Sequence, residues 1–477
     1  MTKKKETPIK SMLWSILGRY LPSLIQIVST IIIARLVTPA EFGEVALITV
    51  FIQIANLLIS SGFAEALIFK GNNTNTLYSS VFFLNIFISI FLYALLFLFS
   101  STIAEFYSIE RLELLTKVVG LNIIVYSFTY IHRVLYMINQ DFKTPAMVVL
   151  LSSFIGSITG IILAYNNYGV WALVCQTLLI NIVQLLLFWK INHWKPNLVF
   201  SKTEIMEIIP YSSKILFNNI VQVLYDNVYT LVIGKVFSSK VLGYYNRMQT
   251  LVFFTTTNFM YAIESVFYPM LCKKKEDINH IKESYEILMR ISTFIAFPIL
   301  VILISLGKFI IIILLSEKWL GSLQILKLIS IAYLFIPIIY MNNSFLKIIN
   351  KPNVLFYTGV VKKIIGMLIL FLTINYDIEF VMYGIILYSV IDSIISMVVI
   401  HLLMKVSVFK QVYFMLNNII LNTILFFVLT YVSSFMTGAF MKVLISLIVG
   451  VMVYITIPVF LKMKEFQIFN KIILKKR

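Results

Sequence analysis

The chain has 477 residues, of which 60% are hydrophobic and only 13% are charged, and its mean hydropathy is +0.94. Soluble domains are about 45–50% apolar and about 25% charged, so this composition excludes a soluble enzyme. The 39 Phe and 26 Tyr residues also exclude a disordered chain. Since a membrane-crossing helix takes about 20 apolar residues, the apolar content is enough for about a dozen spans or more.

The apolar residues form long continuous runs rather than an alternating pattern, which favours helices over a β-barrel. The fold class predicted is therefore all-α, a polytopic membrane protein with about 14 transmembrane helices. The basic Met1–Lys10 leads into the long run Met12–Ala34, which predicts an uncleaved first span rather than a signal peptide. The predicted spans are 12–34, 44–69, 78–100, 114–138, 146–165, 169–190, 206–236, 242–271, 287–315, 323–348, 355–375, 381–404, 412–434 and 438–461.

Lysine and arginine are unevenly distributed between the two sets of loops. If the N-terminus is cytoplasmic, the inside segments hold most of the lysines, including the Lys273–Lys275 run. The outside ends hold only Arg35, Arg111, Lys117, Lys235, Lys240, Lys318 and Lys442. The positive-inside rule then predicts that both termini are cytoplasmic. Topology and anionic membrane lipids explain the net charge of +18 better than nucleic acid does, so no nucleic-acid partner is predicted.

A short internal repeat occurs at an offset of 200 residues. The segment 34–38 (ARLVT) aligns with 234–238 (GKVFS), and Gly43 aligns with Gly243. Spans one and seven are separated by six spans, so the two halves are predicted to be parallel repeats. The predicted domains are a six-helix lobe at 1–204, a second six-helix lobe at 205–405, and two extra helices with a basic tail at 406–477.

The first helix of each predicted lobe carries a polar stripe at helical spacing. Span one has Arg19, Ser23, Gln26 and Thr30, and span seven has Lys214, Asn218, Gln222, Asp226 and Tyr229. Polar groups inside a membrane usually face a cavity or a partner. If the lobes face each other, the stripes line a common aqueous cavity. Snorkelling to the headgroups is the alternative for Arg19 and Lys214.

Two further arginines, Arg247 and Arg290, are candidates for the same cavity. The predicted binding residues are therefore Arg19, Gln26, Lys214, Asn218, Gln222, Asp226, Arg247 and Arg290. Three membrane carboxylates are weaker candidates, because pairing with Lys or Arg on another helix would explain them; these are Glu65, Glu264 and Asp392.

No motif predicts enzymatic chemistry. Cys175 and Cys272 are isolated and the histidines are scattered, so no metal site and no cofactor are predicted. The sequence has no G-x-x-x-x-G-K-[ST], His-Glu-x-x-His or G-x-S-x-G pattern. Transport would therefore draw on a gradient, and coupling to H⁺ or Na⁺ stays open.

Two segments resemble motifs of the Wzx-type polysaccharide flippases. Segment 34–43 (ARLVTPAEFG) is similar to the signature that follows the first span of that family, and 243–247 (GYYNR) is similar to its second-half segment. Ser61-Gly62-Phe63 and Ala66-Leu67-Ile68 add to the likeness. The family belongs to the superfamily that also holds the MATE exporters and the lipid II flippases.

The resemblance implies a bacterial inner-membrane flippase for undecaprenyl-diphosphate-linked oligosaccharide, working by alternating access. Arg19 and Lys214 would bind the diphosphate, and amide side chains would bind the sugar. The alternative is a MATE-like, gradient-driven exporter of small molecules, for which a more acidic cavity is expected. A polysaccharide polymerase would need a large outer loop, whereas the longest one here is about 101–113. No selectivity-filter motif supports an ion channel.

Overall fold

The computed structural model describes residues 8–71 and 73–468, without the side chains of 8–13, 15, 16 and 19. These residues form α-helices and one 3₁₀ turn, with no strand among them. Eleven described segments are long and apolar enough to cross a membrane. The predicted all-α, polytopic membrane fold is therefore confirmed.

The chain divides into two compact units, Met1–Gly243 and Tyr244–Arg477. The boundary falls inside a helix, α10 (Ser239–Cys272). The helices before it are α1 (Pro8–Leu36), α2 (Pro39–Ser60), α3 (Phe63–Lys70), α4 (Asn75–Leu98), α5 (Ser100–Tyr107), α6 (Leu112–Ile138), α7 (Lys143–Tyr165), α8 (Val170–Ile191) and α9 (Lys202–Val236).

The helices that follow α10 are α11 (Ile278–Leu314), α12 (Leu323–Tyr333), α13 (Ile336–Ile348), α14 (Pro352–Thr373), α15 (Ile378–Met404), α16 (Val408–Phe435) and α17 (Ala439–Phe460). The 3₁₀ turn Glu317–Ser322 precedes α12. In this second unit α11 packs against α16, α12 and α13, and α15 packs against α12, α13 and α14.

In the first unit α1 packs along α7, which in turn packs along α8. Two glycines of α7 allow it to lie close to α8. A Cβ on Gly156 would lie 2.4 Å from the Ile180 side chain, and one on Gly160 would lie 2.9 Å from Gln176. The Gly-xxx-Gly step thus lets two helices pack closely. The helix α9 packs against α2, α3 and α4 of the same unit.

Every one of the fourteen predicted runs is helical, and eleven segments meet the criteria of length and apolarity. The three long helices outside those eleven are α1, α9 and α10, the first two of which carry the polar stripes. The described apolar part of α1, Tyr20–Leu36, is short for a span, whereas polar residues lower the hydropathy of α9 and α10. Fourteen spans therefore stay a prediction, as do the domain boundaries at 204 and 405.

Two predicted spans are each divided into two helices. In 44–69 the break falls at Ser61 and Gly62, whose φ values of +43° and +71° are left-handed and end α2. In 323–348 the break falls just before Pro337, which lies in the first turn of α13. The predicted loop 101–113 also contains a helix, α5.

Candidate functional site

A polar stripe runs along α9 on its exposed surface. Lys214, Asn218, Gln222 and Asp226 follow one another at four-residue intervals, and all four side chains are exposed. This spacing places them on one face of the helix. Gln222 donates from Nε2 to both carboxylate oxygens of Asp226, at 2.8 and 3.0 Å. The amide thus orients the carboxylate along the stripe.

Exposed apolar side chains of α9 lie beside this polar stripe. Phe217, Val221 and Leu224 are 71%, 42% and 43% exposed and lie on a face of the helix that adjoins it. Asn227 also donates from Nδ2 to Gln53 Oε1 of α2, at 3.0 Å. Gln53, which the sequence reasoning missed, extends the polar surface onto a second helix.

The stripe of α1 is tied to α7. Gln26 is exposed, and its Nε2 donates to Ser153 Oγ at 3.3 Å. One turn further, Gln176 Nε2 donates to Ser29 Oγ at 3.1 Å, which links α8 to α1. Arg19 lies in the helical part of α1, but its side chain is outside the described residues. The structure thus gives Gln26 a packing role as well as an exposed surface.

The two remaining arginines lie in the second unit. Arg247 is half-buried in α10. Arg290 is buried in α11 and is 2% exposed. Its Nη1 pairs with Glu465 Oε1 at 2.5 Å, and its Nε pairs with Glu286 Oε1 at 3.0 Å.

Arg290 is buried because α11 begins earlier than the sequence predicts. The helix α11 begins at Ile278, nine residues before the predicted start at 287, because Asp277 caps it by accepting from the His280 N–H. Arg290 therefore lies within the helix and not at its end. Its Nη1 donates to the Phe414 carbonyl of α16. We accordingly leave Arg290 out of the site proposed below.

We predict that Arg290→Ala acts through stability. The change leaves Glu465, which is fully buried, without its cation. Removing one partner of a buried ion pair costs about 3–5 kcal/mol. The melting temperature of the purified protein should fall clearly, whereas the control Glu283→Ala, at an exposed position of α11, should leave it unchanged. An unchanged melting temperature with lost activity would return Arg290 to a cargo-binding role.

Two glycines related by the 200-residue offset pack against each other. A Cβ on Gly43 would lie 1.9 Å from the carbonyl oxygen of Ser239, and one on Gly243 would lie 1.8 Å from that of Pro39. Pro39 and Ser239 are the first residues of α2 and α10. The contact is thus reciprocal, as expected of equivalent residues in a repeat, and only glycine allows it.

The acidic residue of the first motif holds the start of α2. Glu41 Oε2 accepts from the Thr38 N–H at 2.9 Å while Thr38 Oγ1 accepts from the Glu41 N–H, which is a capping box. Its other oxygen, Oε1, accepts from the Val170 N–H of α8 at 3.0 Å and lies 3.5 Å from Arg111. The motif residues Thr38, Glu41 and Gly43 thus have structural roles.

The second motif joins α10 to the 3₁₀ turn of the second unit. Tyr244 donates from its hydroxyl to the Lys318 carbonyl at 3.2 Å, and its ring packs edge-on against Trp319. A Cβ on Gly321 would lie 2.9 Å from the same ring. Tyr244 of this motif thus fixes helix packing.

Two of the three weaker carboxylates pair with lysines on other helices, as the sequence indicated. Glu264 pairs with Lys347 at 3.2 Å, and Asp392 pairs with Lys362 at 2.7 Å. Glu65 is exposed and has no ion pair within the described residues. Within the same residues, no group of three or more His, Cys, Asp or Glu side chains could hold a metal ion.

Comparison with known proteins places the chain in a family. A family model described as "Polysaccharide biosynthesis protein" matches residues 32–324, which is more than half of the chain. The chain belongs to this polysaccharide biosynthesis protein family. The resemblance drawn from the two motifs is therefore confirmed.

Several curated relatives of this polysaccharide biosynthesis protein match over most of their length. It is 23% identical to the teichuronic acid biosynthesis protein TuaB of Bacillus subtilis over 72% of both chains. It is 20% identical to the succinoglycan biosynthesis transport protein ExoT of Rhizobium meliloti, covering 76% of this chain and 74% of that one. It is 22% identical to the lipopolysaccharide biosynthesis protein WzxC of Escherichia coli, covering 69% of this chain and 67% of that one.

Solved structures show the same fold at low identity. The lipid II flippase MurJ in an inward closed conformation has a TM-score of 0.74 and 16% identity, covering 97% of this chain and 100% of that one. An inward-facing multidrug resistance MATE transporter of the MOP superfamily has a TM-score of 0.58 and 14% identity, covering 82% of this chain and 98% of that one. This polysaccharide biosynthesis protein therefore has the fold of those transporters.

Proposed function

We propose that this chain is a flippase that moves an undecaprenyl-diphosphate-linked oligosaccharide across the bacterial inner membrane for surface polysaccharide synthesis. Its family and the names of its relatives TuaB, ExoT and WzxC support a role in polysaccharide biosynthesis, and ExoT is named as a transport protein. The fold that it shares with the lipid II flippase supports a lipid-linked cargo. The exposed polar stripe of α9 is the observation that carries the proposal.

The stripe is costly unless it meets water. A charged side chain at the centre of a bilayer costs about 2.5–3.5 kcal/mol or more. Lys214 and Asp226 are exposed and lie 12 and 24 residues after the first residue of the 35-residue helix α9, so both fall in its middle part. Since hydrocarbon would not solvate these groups, the stripe faces an aqueous cavity, which opens in turn to the two sides of the membrane.

The chemistry of the stripe fits an amphipathic, anionic cargo. The Lys214 ammonium group would bind a diphosphate oxygen through a charge-assisted hydrogen bond. Asn218 and Gln222 offer the amide donors and acceptors that bind sugar hydroxyls. Asp226, held by Gln222, lies about 18 Å along the helix from Lys214, so in a water-filled cavity the two charges act independently. Arg19 and Arg247 remain candidates for a second cation.

The proposal gives the protein no bond-making or bond-breaking step, so it is a transporter and not an enzyme. Both termini are proposed to be cytoplasmic, on the lysine distribution described above. Asp226 is the group on the stripe that could bind H⁺ or Na⁺. We propose that transport is coupled to one of these ions through this carboxylate. The rival MATE-like exporter rests on a shared fold alone.

A reconstituted assay separates the two functions. We expect the purified protein in liposomes to move a fluorescent polyprenyl-diphosphate oligosaccharide between leaflets, measured as the fraction that a membrane-impermeant quencher can reach. It should not accumulate ethidium, a small cation, under a proton or sodium gradient. Ethidium transport together with no lipid movement above protein-free liposomes would overturn the proposal in favour of the exporter.

A further inference from the structure

The second unit contains a cavity of about 360 Å³ at the point where five helix ends meet. These are the ends of α10, α13 and α15 and the starts of α11 and α14. The apolar residues that line it are Ile278, Ile281, Ile348, Ile349, Leu403 and Met404. Its volume lies within the range of sites that hold small ligands.

The local sequence explains why the cavity has an apolar floor and an open mouth. Ile281, Ile348 and Met404 are 1%, 3% and 4% exposed, because they close the core of the unit at the helix ends. Ile278 at the start of α11 is 62% exposed. The chain turns sharply after α13 through Asn350, whose φ of +57° is left-handed, and this turn holds one wall open.

Positive charge surrounds the mouth. Lys275 and Lys351 line the cavity and are exposed, against a single acidic lining residue, Glu276. Neither lysine forms an ion pair with another described residue. Lys273 and Lys274 precede the first of them, and Lys405 follows the last lining residue of α15. The mouth therefore favours an anion.

An apolar floor and a cationic mouth together specify an amphipathic ligand. A free phosphate ion would gain nothing from the isoleucines, and an apolar molecule would gain nothing from the lysines. The ends of membrane-spanning helices lie at the level of the lipid headgroups, and basic pockets between such helices bind anionic headgroups. The positive-inside rule also predicts that these helix ends are cytoplasmic, on the side where anionic lipids act.

We propose that this cavity binds one anionic phospholipid of the surrounding membrane. Its phosphate lies between Lys275 and Lys351, and its glycerol and the start of one acyl chain lie on the isoleucine floor. The rest of the acyl chain stays in the bilayer. The site is separate from the α9 stripe and does not depend on which cargo the protein carries.

Native mass spectrometry of the detergent-purified protein tests the site. We expect one dioleoyl phosphatidylglycerol molecule to bind more tightly than dioleoyl phosphatidylcholine. Each lysine near an anionic lipid contributes about fivefold, so Lys275→Gln with Lys351→Gln should weaken phosphatidylglycerol binding about 30-fold. Ile349→Trp, which fills the cavity and keeps both lysines, should abolish the same tight binding event.

A matched control separates the site from general surface charge. Lys462→Gln with Lys464→Gln removes two exposed lysines of the same unit that do not line the cavity, and should leave the affinity unchanged. An equal loss in this control would overturn the proposal, since any basic surface would then serve. So would full binding by Ile349→Trp, or displacement of the lipid by inorganic phosphate, which would indicate a site for the free anion.

Discussion

Replacing Gly43 by alanine is expected to reduce surface polysaccharide sharply without lowering the amount of protein in the membrane. The new Cβ would lie 1.9 Å from the backbone oxygen of Ser239, and a backbone atom cannot rotate out of the way. Overpacking of this kind costs about 1–3 kcal/mol, so the packed arrangement of α2 and α10 would become about 5- to 150-fold less populated. Gly243→Ala should do the same, because its Cβ would meet Pro39.

The reactivity of a cysteine at position 239 measures directly whether α2 and α10 have moved apart. Ser239→Cys should react faster with a membrane-impermeant maleimide when Gly43→Ala is also present. Gly359→Ala is the matched control, because that helical glycine has nothing within 4 Å of its Cβ position. Unchanged labelling and full polysaccharide display in Gly43→Val, the bulkier variant, would show that the two helices do not depend on this contact.

Changing Lys214 should have the second large effect. A hydrogen bond to a charged group is worth about 1.5–3 kcal/mol, so Lys214→Ala should slow flipping about 10- to 150-fold. Lys214→Glu should abolish it, because a carboxylate repels the diphosphate, while Lys214→Arg should keep partial activity. The measurement is the rate of lipid-linked oligosaccharide movement in liposomes.

Lys202→Ala is the matched control, since Lys202 is an exposed lysine in the first turn of the same helix and lies off the polar stripe. It should behave like the unchanged protein. Full polysaccharide display by the double variant Arg19→Ala, Lys214→Ala would contradict a cation pair for the diphosphate. Both residues would then be snorkelling or topology features.

The helices could be predicted because the bilayer imposes a simple rule. A run such as 381–404 is apolar on all sides and long enough to cross, and the structure has α15 at Ile378–Met404. The breaks were harder to predict, because they depend on single backbone angles. At Ser61 a φ of +43° ends α2 within an otherwise continuous apolar run, and only the following glycine signals it.

The site was only partly predictable from periodicity. Four-residue spacing identified the stripe from Lys214 to Asp226, since helix geometry alone sets which residues share a face. Arg290 could not be assigned in this way. Its environment depends on Glu465, which is 175 residues away in sequence, and a local pattern carries no record of such a partner. Gln53 was missed because a single amide in an apolar helix forms no stripe.

The ion pair between Arg290 and Glu465 also constrains the order in which the second unit folds during synthesis. Glu286 lies one turn before Arg290 and is synthesised with it, whereas Glu465 lies beyond α17, 175 residues after Arg290. Domains form as the chain emerges from the ribosome, N-terminal parts first. The packing around Arg290 can therefore be completed only after α17 has inserted. A chain that stalls before residue 465 would leave α11 with a cation that its final partner never reaches.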